Sequence, residues 1–290
     1  LTLPNFFIIG AAKAGTTSLH HYLDQHPQIQ MSAIKETNFF AGPADGIPYP
    51  VGRVERLDEY ESLFDPAFER RGEASPSYTN APRRRGVPER IKAMLPEARF
   101  VYLVRDPIAR LVSQHQMLVA DGDERKSLAE AVRALDREDP HSYYLTCQSF
   151  YARQLELYLE HFPQESLLVI DQAELRRDRT GTLREVFSFL AVDPGFSSPQ
   201  FDAELFKGEG KRVYPRSFKR VIKPALQGPY HLLPRRLRES LRGKVERRFL
   251  PPLPPPDLDQ ETRDRLADLF APDVERLRSL TGNAFAGWSV

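Results

Sequence analysis

Cysteine is almost missing from this chain of 290 residues: Cys147 stands alone. A single cysteine cannot form an internal disulfide, and it excludes a zinc site built on clustered cysteines. That usage fits a reducing compartment and hence a cytoplasmic setting. Long apolar runs are missing as well. No stretch approaches the roughly 18 consecutive apolar residues that argue for a transmembrane helix. The apolar start, residues 1–10, has neither a basic leader nor a small-residue cleavage site, so it reads as a core strand rather than a signal peptide. Internal repeats and a clean linker are also lacking. One domain over residues 1–290 is therefore expected, with a core over about 1–194 and a basic, then helical, remainder over about 195–290.

A large net charge is the last absence, and it conceals an asymmetry. The chain totals +1, yet residues 207–248 hold 14 Lys/Arg against 3 Glu, a local +11 that leaves −10 for the rest. Such a block draws anions: a phosphorylated cofactor, an anionic acceptor, a membrane surface or nucleic acid. A solvated basic face is an equally weighted alternative. Within the block, Leu233, Leu237, Leu241, Val245 and Phe249 recur at every fourth position, an apolar stripe on a basic helix over 234–249. It packs on the core or, less expectedly, lies on a membrane surface.

What is present is an alternation. Strand-like runs at 6–9, 99–104 and 166–171 are each followed by helical patterns: 16–25 after the first, the segment beyond Pro107 after the second and 182–190 after the third. Further helices are expected at 88–95, 126–136, 148–162 and 259–280. "FDPAFERRGEASPSY" (64–78) reads as loop. Strands alternating with helices predict an α/β fold with a central, mainly parallel sheet flanked by helices.

Three short stretches carry chemistry. "FFIIGAAKAGTTSLHHYL" (6–23) is a strand, a glycine-bounded loop and a helix start. That arrangement gathers backbone N–H groups at a helix N-terminus, where an anion is favoured. Gly10 and Gly15 have nucleoside-triphosphatase spacing, but Lys13 lies inside the loop and Thr16 follows the second glycine, where such a loop needs lysine. Lys13, with the hydroxyls of Thr16, Thr17 and Ser18, suits a phosphate or phosphosulfate without a metal. "RDPIARLVS" (105–113) follows the second strand, so Arg105 stands at a strand's carboxyl end, where open α/β sheets take their ligands. Arg110 and Ser113 are three apart and share a helix face. An arginine with a hydroxyl can grip a second phosphate. "KETNFF" (35–40) puts Glu36 in an apolar neighbourhood, where a desolvated carboxylate gains basicity.

Together these stretches resemble the sulfotransferases that use 3′-phosphoadenosine 5′-phosphosulfate (PAPS). "PNFFIIGAAKAGTTSLHHYLDQHPQI" is similar to the family's 5′-phosphosulfate loop and "VYLVRDPIARLVSQH" to its 3′-phosphate motif. "KETNFF" resembles the K-E-x-x-F-F segment of the branch that includes the heparan sulfate sulfotransferases. "GEGKRVYP" (208–215) resembles that branch's late cofactor loop, and "LTGNAFAGW" the end of many bacterial members. The resemblance implies a P-loop-like domain in which Lys13, Ala14, Gly15, Thr16, Thr17 and Ser18 hold the 5′-phosphosulfate. It gives the 3′-phosphate to Arg105 and Ser113. Gly210, Lys211, Arg212, Val213 and Tyr214 would close over the nucleotide, and Glu36 and Lys13 would be catalytic.

Two departures bear on the acceptor. "EASPSY" has Ala74 where the branch often has lysine, and the cysteine pair bridged near the late cofactor loop in the heparan enzymes is missing. Both weaken a heparan-like assignment. The cytosolic branch uses a histidine base, but His20, His21 and His115 lie in or beside the cofactor motifs. The expected activity is metal-independent transfer of a sulfuryl group from PAPS, leaving 3′-phosphoadenosine 5′-phosphate (PAP). The acceptor is a hydroxyl or amine of a glycan, lipid, small alcohol or carrier-bound chain, with an anionic acceptor or peripheral membrane contact through 207–248 in view. No nucleic-acid partner is expected. The alternatives are a P-loop nucleotide kinase and a nonenzymatic nucleotide-binding or membrane-docking module.

Overall fold

The strand β1 (Phe6–Gly10) is buried at all five positions, as a strand covered on both faces of a parallel sheet must be. In the computed structural model it is the middle of five. The model describes residues 1–42, 53–137, 139, 143–202, 213, 250–253, 256 and 258–290. The other strands are β2 (Ile29–Met31), β3 (Arg70–Ala74), β4 (Arg99–Val104) and β5 (Leu167–Asp171), in the order β2-β3-β1-β4-β5. Every neighbouring pair is parallel, with Phe6 opposite Gly72 on one side and Arg99 on the other. The predicted α/β class and parallel sheet are thus present.

β3 replaces a predicted loop, and its side chains explain the misreading. In "RRGEA" neither apolar alternation nor an apolar run is visible, because Arg70 and Arg71 are only partly buried and the buried positions hold Gly72, Glu73 and Ala74. Arg71 donates to the carbonyls of Leu3 and Phe68 at 3.0 and 2.7 Å. Gly72 leaves room for its neighbours: a Cβ there would come within 2.1 Å of the Phe6 ring.

Helices α1 (Thr16–Leu23), α2 (Leu57–Glu61), α3 (Val87–Met94), α4 (Pro107–Ala120), α5 (Leu128–Arg133), α6 (Tyr151–Leu159), α7 (Gln172–Arg177), α8 (Arg179–Leu190) and α9 (Gln260–Thr281) surround the sheet. Residues 148 and 149, expected as the start of α6, belong to a separate 3₁₀ turn, Cys147–Ser149. The predicted 182–190 helix begins earlier, and the short α7 before it was not foreseen. The predicted helix 234–249 and most of the 207–248 block lie outside the described residues. α9 and the tail after it join the same buried cluster as the sheet, through Leu266, Phe270, Val274, Leu277, Phe285 and Trp288. Aromatic stacking ties neighbouring strands together, as where Phe7 of β1 stacks on Phe100 of β4 at 5.8 Å. Among the described residues no helix is long and apolar enough to cross a membrane. The loops leaving β1, β3, β4 and β5 emerge at one edge of the sheet, the carboxyl ends of parallel strands, and there the cleft lies.

Candidate functional site

The loop between β1 and α1 is shaped by two residues with positive φ, Lys13 at 70° and Gly15 at 99°. Gly15 is the N-cap of α1 and supplies no side-chain cap, and the first turn holds no acidic residue. The amides of Ser18 and Leu19 donate to Gly15 O at 3.0 and 3.1 Å, and those of Thr16 and Thr17 are left for an external anion. Gly15, Thr16, Thr17 and Ser18 line the cleft together with Lys13. Ala14 does not: its side chain is buried in the core and its N–H donates to Ala11 O at 3.1 Å. Lys13 extends across the cleft, with Nζ 3.6 Å from Sδ of Met117 on α4.

Arg105 leaves the end of β4 and reaches back to the loop, donating from Nη1 to Lys13 O at 3.2 Å. Burial, and then the nearby Arg176, lower its pKa. Arg105, partly buried, and Arg176, exposed, both line the cleft, and two guanidinium groups on one cleft suit an anion. Ser113, on α4, lines the same cleft. Arg110 does not join them. Fully buried, it donates to Ser149 Oγ at 2.6 Å and to Gln114 and the Leu145 carbonyl. The shared helix face inferred from the spacing separates here: Ser113 lines the cleft, and Arg110 fastens residues 145–149.

Glu36 also lines the cleft, at φ 63°. The apolar neighbourhood expected around it is a sequence neighbourhood only. Its side chain is 53% exposed and pairs with Lys35 at 2.6 Å, while Thr37, Asn38 and Phe40 turn inward. The desolvated acid of this region is Glu73, on β3. Gly210, Lys211, Arg212 and Tyr214 lie outside the described residues. Val213 is described, with its N–H donating to Pro251 O at 3.1 Å.

The cleft encloses about 1010 Å³. Its described lining brings Lys13, Arg105, Arg176, Arg179 and Arg263 against only Glu36 and Asp106. A cleft of that balance favours a polyanion. Arg176, Arg179, Arg263 and the buried Gln172 were missed from sequence. Gln172 directly follows β5, so the strand-end rule that marked Arg105 could have marked it. Its amide packs over the loop, with Nε2 3.4 Å from where a Cβ on Gly15 would stand. Ser77 and Gln148 add neutral polar groups to the lining. Arg263 comes from α9, more than 80 residues after the last strand, and no local signal pointed to it.

A model of the Sulfotransferase family matches residues 54–196, a span that holds Arg105 and Ser113 but begins after Lys13 and Glu36. Heparan sulfate glucosamine 3-O-sulfotransferase 3A1 of Mus musculus is 26% identical over 289 residues, 99% of this chain and 64% of its own length. Bifunctional heparan sulfate N-deacetylase/N-sulfotransferase 2 of Bos taurus is 28% identical over 204 residues, 66% of this chain and 22% of that protein. The chain thus spans less than two thirds of either relative. A crystal structure of a sulfotransferase from Alicyclobacillus acidocaldarius superposes with a TM-score of 0.71 at 26% identity, covering 100% of both chains.

Proposed function

From the premise that this chain belongs to the sulfotransferase family, we propose that its cleft binds PAPS and passes the sulfuryl group to a hydroxyl or amine of an acceptor. The observation that carries this reading is the convergence on one cleft of an uncapped helix N-terminus with Lys13, of Arg105 and Ser113, and of the Glu36 carboxylate. Those residues fit the group. Lys13, Thr16, Thr17, Ser18 and the first amides of α1 would hold the 5′-phosphosulfate; Arg105 and Ser113 would hold the 3′-phosphate. The donor supplies an activated sulfuryl group on a phosphate leaving group.

The chain's own residues then have distinct tasks. Lys13 and the helix N-terminus offset negative charge that grows on the leaving phosphate. Glu36 accepts the acceptor's proton. Exposed and paired with Lys35, it works by its placement in the cleft. Nothing in this division of labour asks for a metal ion, so transfer should survive chelation. Lys35 gives the base a neighbouring cation.

For the acceptor we favour a glycan, the class named in the relatives above, with an anionic one suited to the lining arginines and to the +11 of residues 207–248. Peripheral contact with an anionic membrane through that block, in a reducing compartment, is the location proposed with it. The test is transfer of radiolabelled sulfate from PAPS, with and without EDTA, to desulfated and partly sulfated heparan and to fractionated cell extract. Labelled glycan is the expected product. Magnesium-dependent ATP turnover with no sulfate transfer would overturn the reading in favour of a kinase.

A further inference from the structure

Glu73 is a buried acid that the transfer chemistry does not use. It has no solvent exposure, and four hydroxyls converge on it. Tyr60 donates to Oε2. Ser75 and Tyr78 donate to Oε1 at 2.6 and 2.7 Å. Thr37 adds a fourth bond. Burial pushes the Glu73 carboxyl up, and the hydroxyl donors oppose that shift.

The direction of these bonds is informative. Ser75 Oγ accepts the N–H of Asn38 at 3.1 Å, and Tyr78 Oη accepts the N–H of Phe40 at 3.0 Å. A hydroxyl has one proton and spare lone pairs. Both hydroxyls can take a backbone amide and still be satisfied only if their own protons go to Glu73. Each relay therefore runs amide to hydroxyl to carboxylate, and it runs that way because a carboxylate accepts and does not donate.

Those two amides flank a strained turn. Glu36 and Asn38 both have positive φ, 63° and 52°, a conformation non-glycine residues hold only when their surroundings over-determine it. The surroundings do so here. Glu36 N–H donates to Ala74 O at 2.9 Å, Asn38 Nδ2 donates to Glu36 O at 2.6 Å, and Ser77 donates to Asn38 Oδ1. We propose that Glu73 is the positioning residue for Glu36: through Ser75 and Tyr78 it locks the 36–40 turn that presents Glu36 to the cleft. The proposal rests on the role given to Glu36 above.

Glu73→Gln puts an amide donor among hydroxyls that must themselves donate, with nearly unchanged volume. Hydrogen exchange of the intact chain, resolved at the amides of Asn38 and Phe40, reads the result. Both should exchange about tenfold faster or more in Glu73→Gln, while β4 amides keep their rates. Tyr78→Phe should release Phe40 alone, and Ser75→Ala should release Asn38 alone. Tyr60→Phe removes a donor that touches Glu73 but no turn amide, and it keeps the ring that stacks on Phe39. It should leave both amides protected. In sulfate transfer from PAPS, Glu73→Gln should lower kcat about tenfold or more with KM for PAPS and PAP affinity unchanged.

Unchanged exchange at both amides in Glu73→Gln would overturn the proposal, as would equal acceleration at the turn and in β4, which marks a general stability role. Should Glu73→Gln fail to fold, the Tyr78→Phe and Ser75→Ala pair decides by the same criterion. Exchange as expected, with transfer undiminished by Glu36→Gln, would sink the role of Glu36 and leave the hold of Glu73 on the turn standing.

Discussion

At Glu36 the local environment and the chemistry separate. The side chain is half in solvent, so replacing its carboxylate costs little packing, and any loss of rate reads its position. Glu36→Gln should slow sulfate transfer roughly 10²-fold or more, the usual scale for a general base, with PAP affinity kept when measured by calorimetry. Arg105→Ala should erase most of the preference for PAP over the nucleotide that lacks the 3′-phosphate. Equal affinity of the unmodified protein for those two ligands would remove Arg105 and Ser113 from that task. Lys13, Arg105 and Glu36 were legible because each belongs to a short contiguous motif whose strand, loop and helix order is itself local. Glu73 was passed over, since a charged residue in a polar stretch has no pattern. Only the fold brings Tyr60, Tyr78 and Thr37 onto it.

Among the elements, α4 depends on an acid with two jobs. Asp106 Oδ1 caps the helix by accepting Ala109 N–H at 2.7 Å, while Oδ2 accepts Ser289 N–H and Oγ at 2.5 and 2.6 Å. Trp288 beside it donates to Asp171, at the end of β5, at 3.1 Å. The tail thus clasps the starts of the two helices, α4 and α7, that follow β4 and β5, and its Gly287 and Ser289 line the cleft. Asp106→Ala loses the cap and the clasp together. It should cost about 1 kcal/mol for the cap, seen as a lower Tm, and should weaken PAP binding by loosening Ser113. A variant with lower Tm but unchanged PAP affinity would limit Asp106 to capping. The proline after Asp106 and the strand before it made α4 legible, but the tail's part in it was not, because the two lie 183 residues apart.

For the molecule as a whole, α9 fixes α6 through Asp273, whose carboxylate accepts the N–H groups of Ala152 and Arg153 at 3.0 and 3.1 Å. Burial is the larger influence and pushes Asp273 up to about 6. The folded state therefore binds a proton between pH 3.8 and about 6 that the unfolded chain has released, so this group's contribution to stability is full below that window and is lost as pH rises through it. The loss amounts to about 3 kcal/mol, from roughly two pKa units at 1.36 kcal/mol each. Thermal melts from pH 4 to 7 should show a fall attributable to Asp273 that Asp273→Asn lacks; parallel pH curves for the two proteins would refute it.

By itself the sequence determined the strand–helix alternation and marked as candidates the glycine-bounded loop with its unusual lysine, Arg105 and Ser113 after β4, and the acid in "KETNFF". These are local properties: apolar periodicity, glycine placement and the contiguity of a strand with the helix after it. Only the tertiary structure decided that "RRGEA" is a strand, that Arg110 turns inward while Ser113 faces the cleft, that Arg263 and the tail complete the cleft wall, and that the desolvated carboxylate is Glu73 and not Glu36. The physical reason is shared by all four. Burial and hydrogen-bond partnership are set by residues distant in the chain, and a buried polar group is stable only where those distant partners meet it.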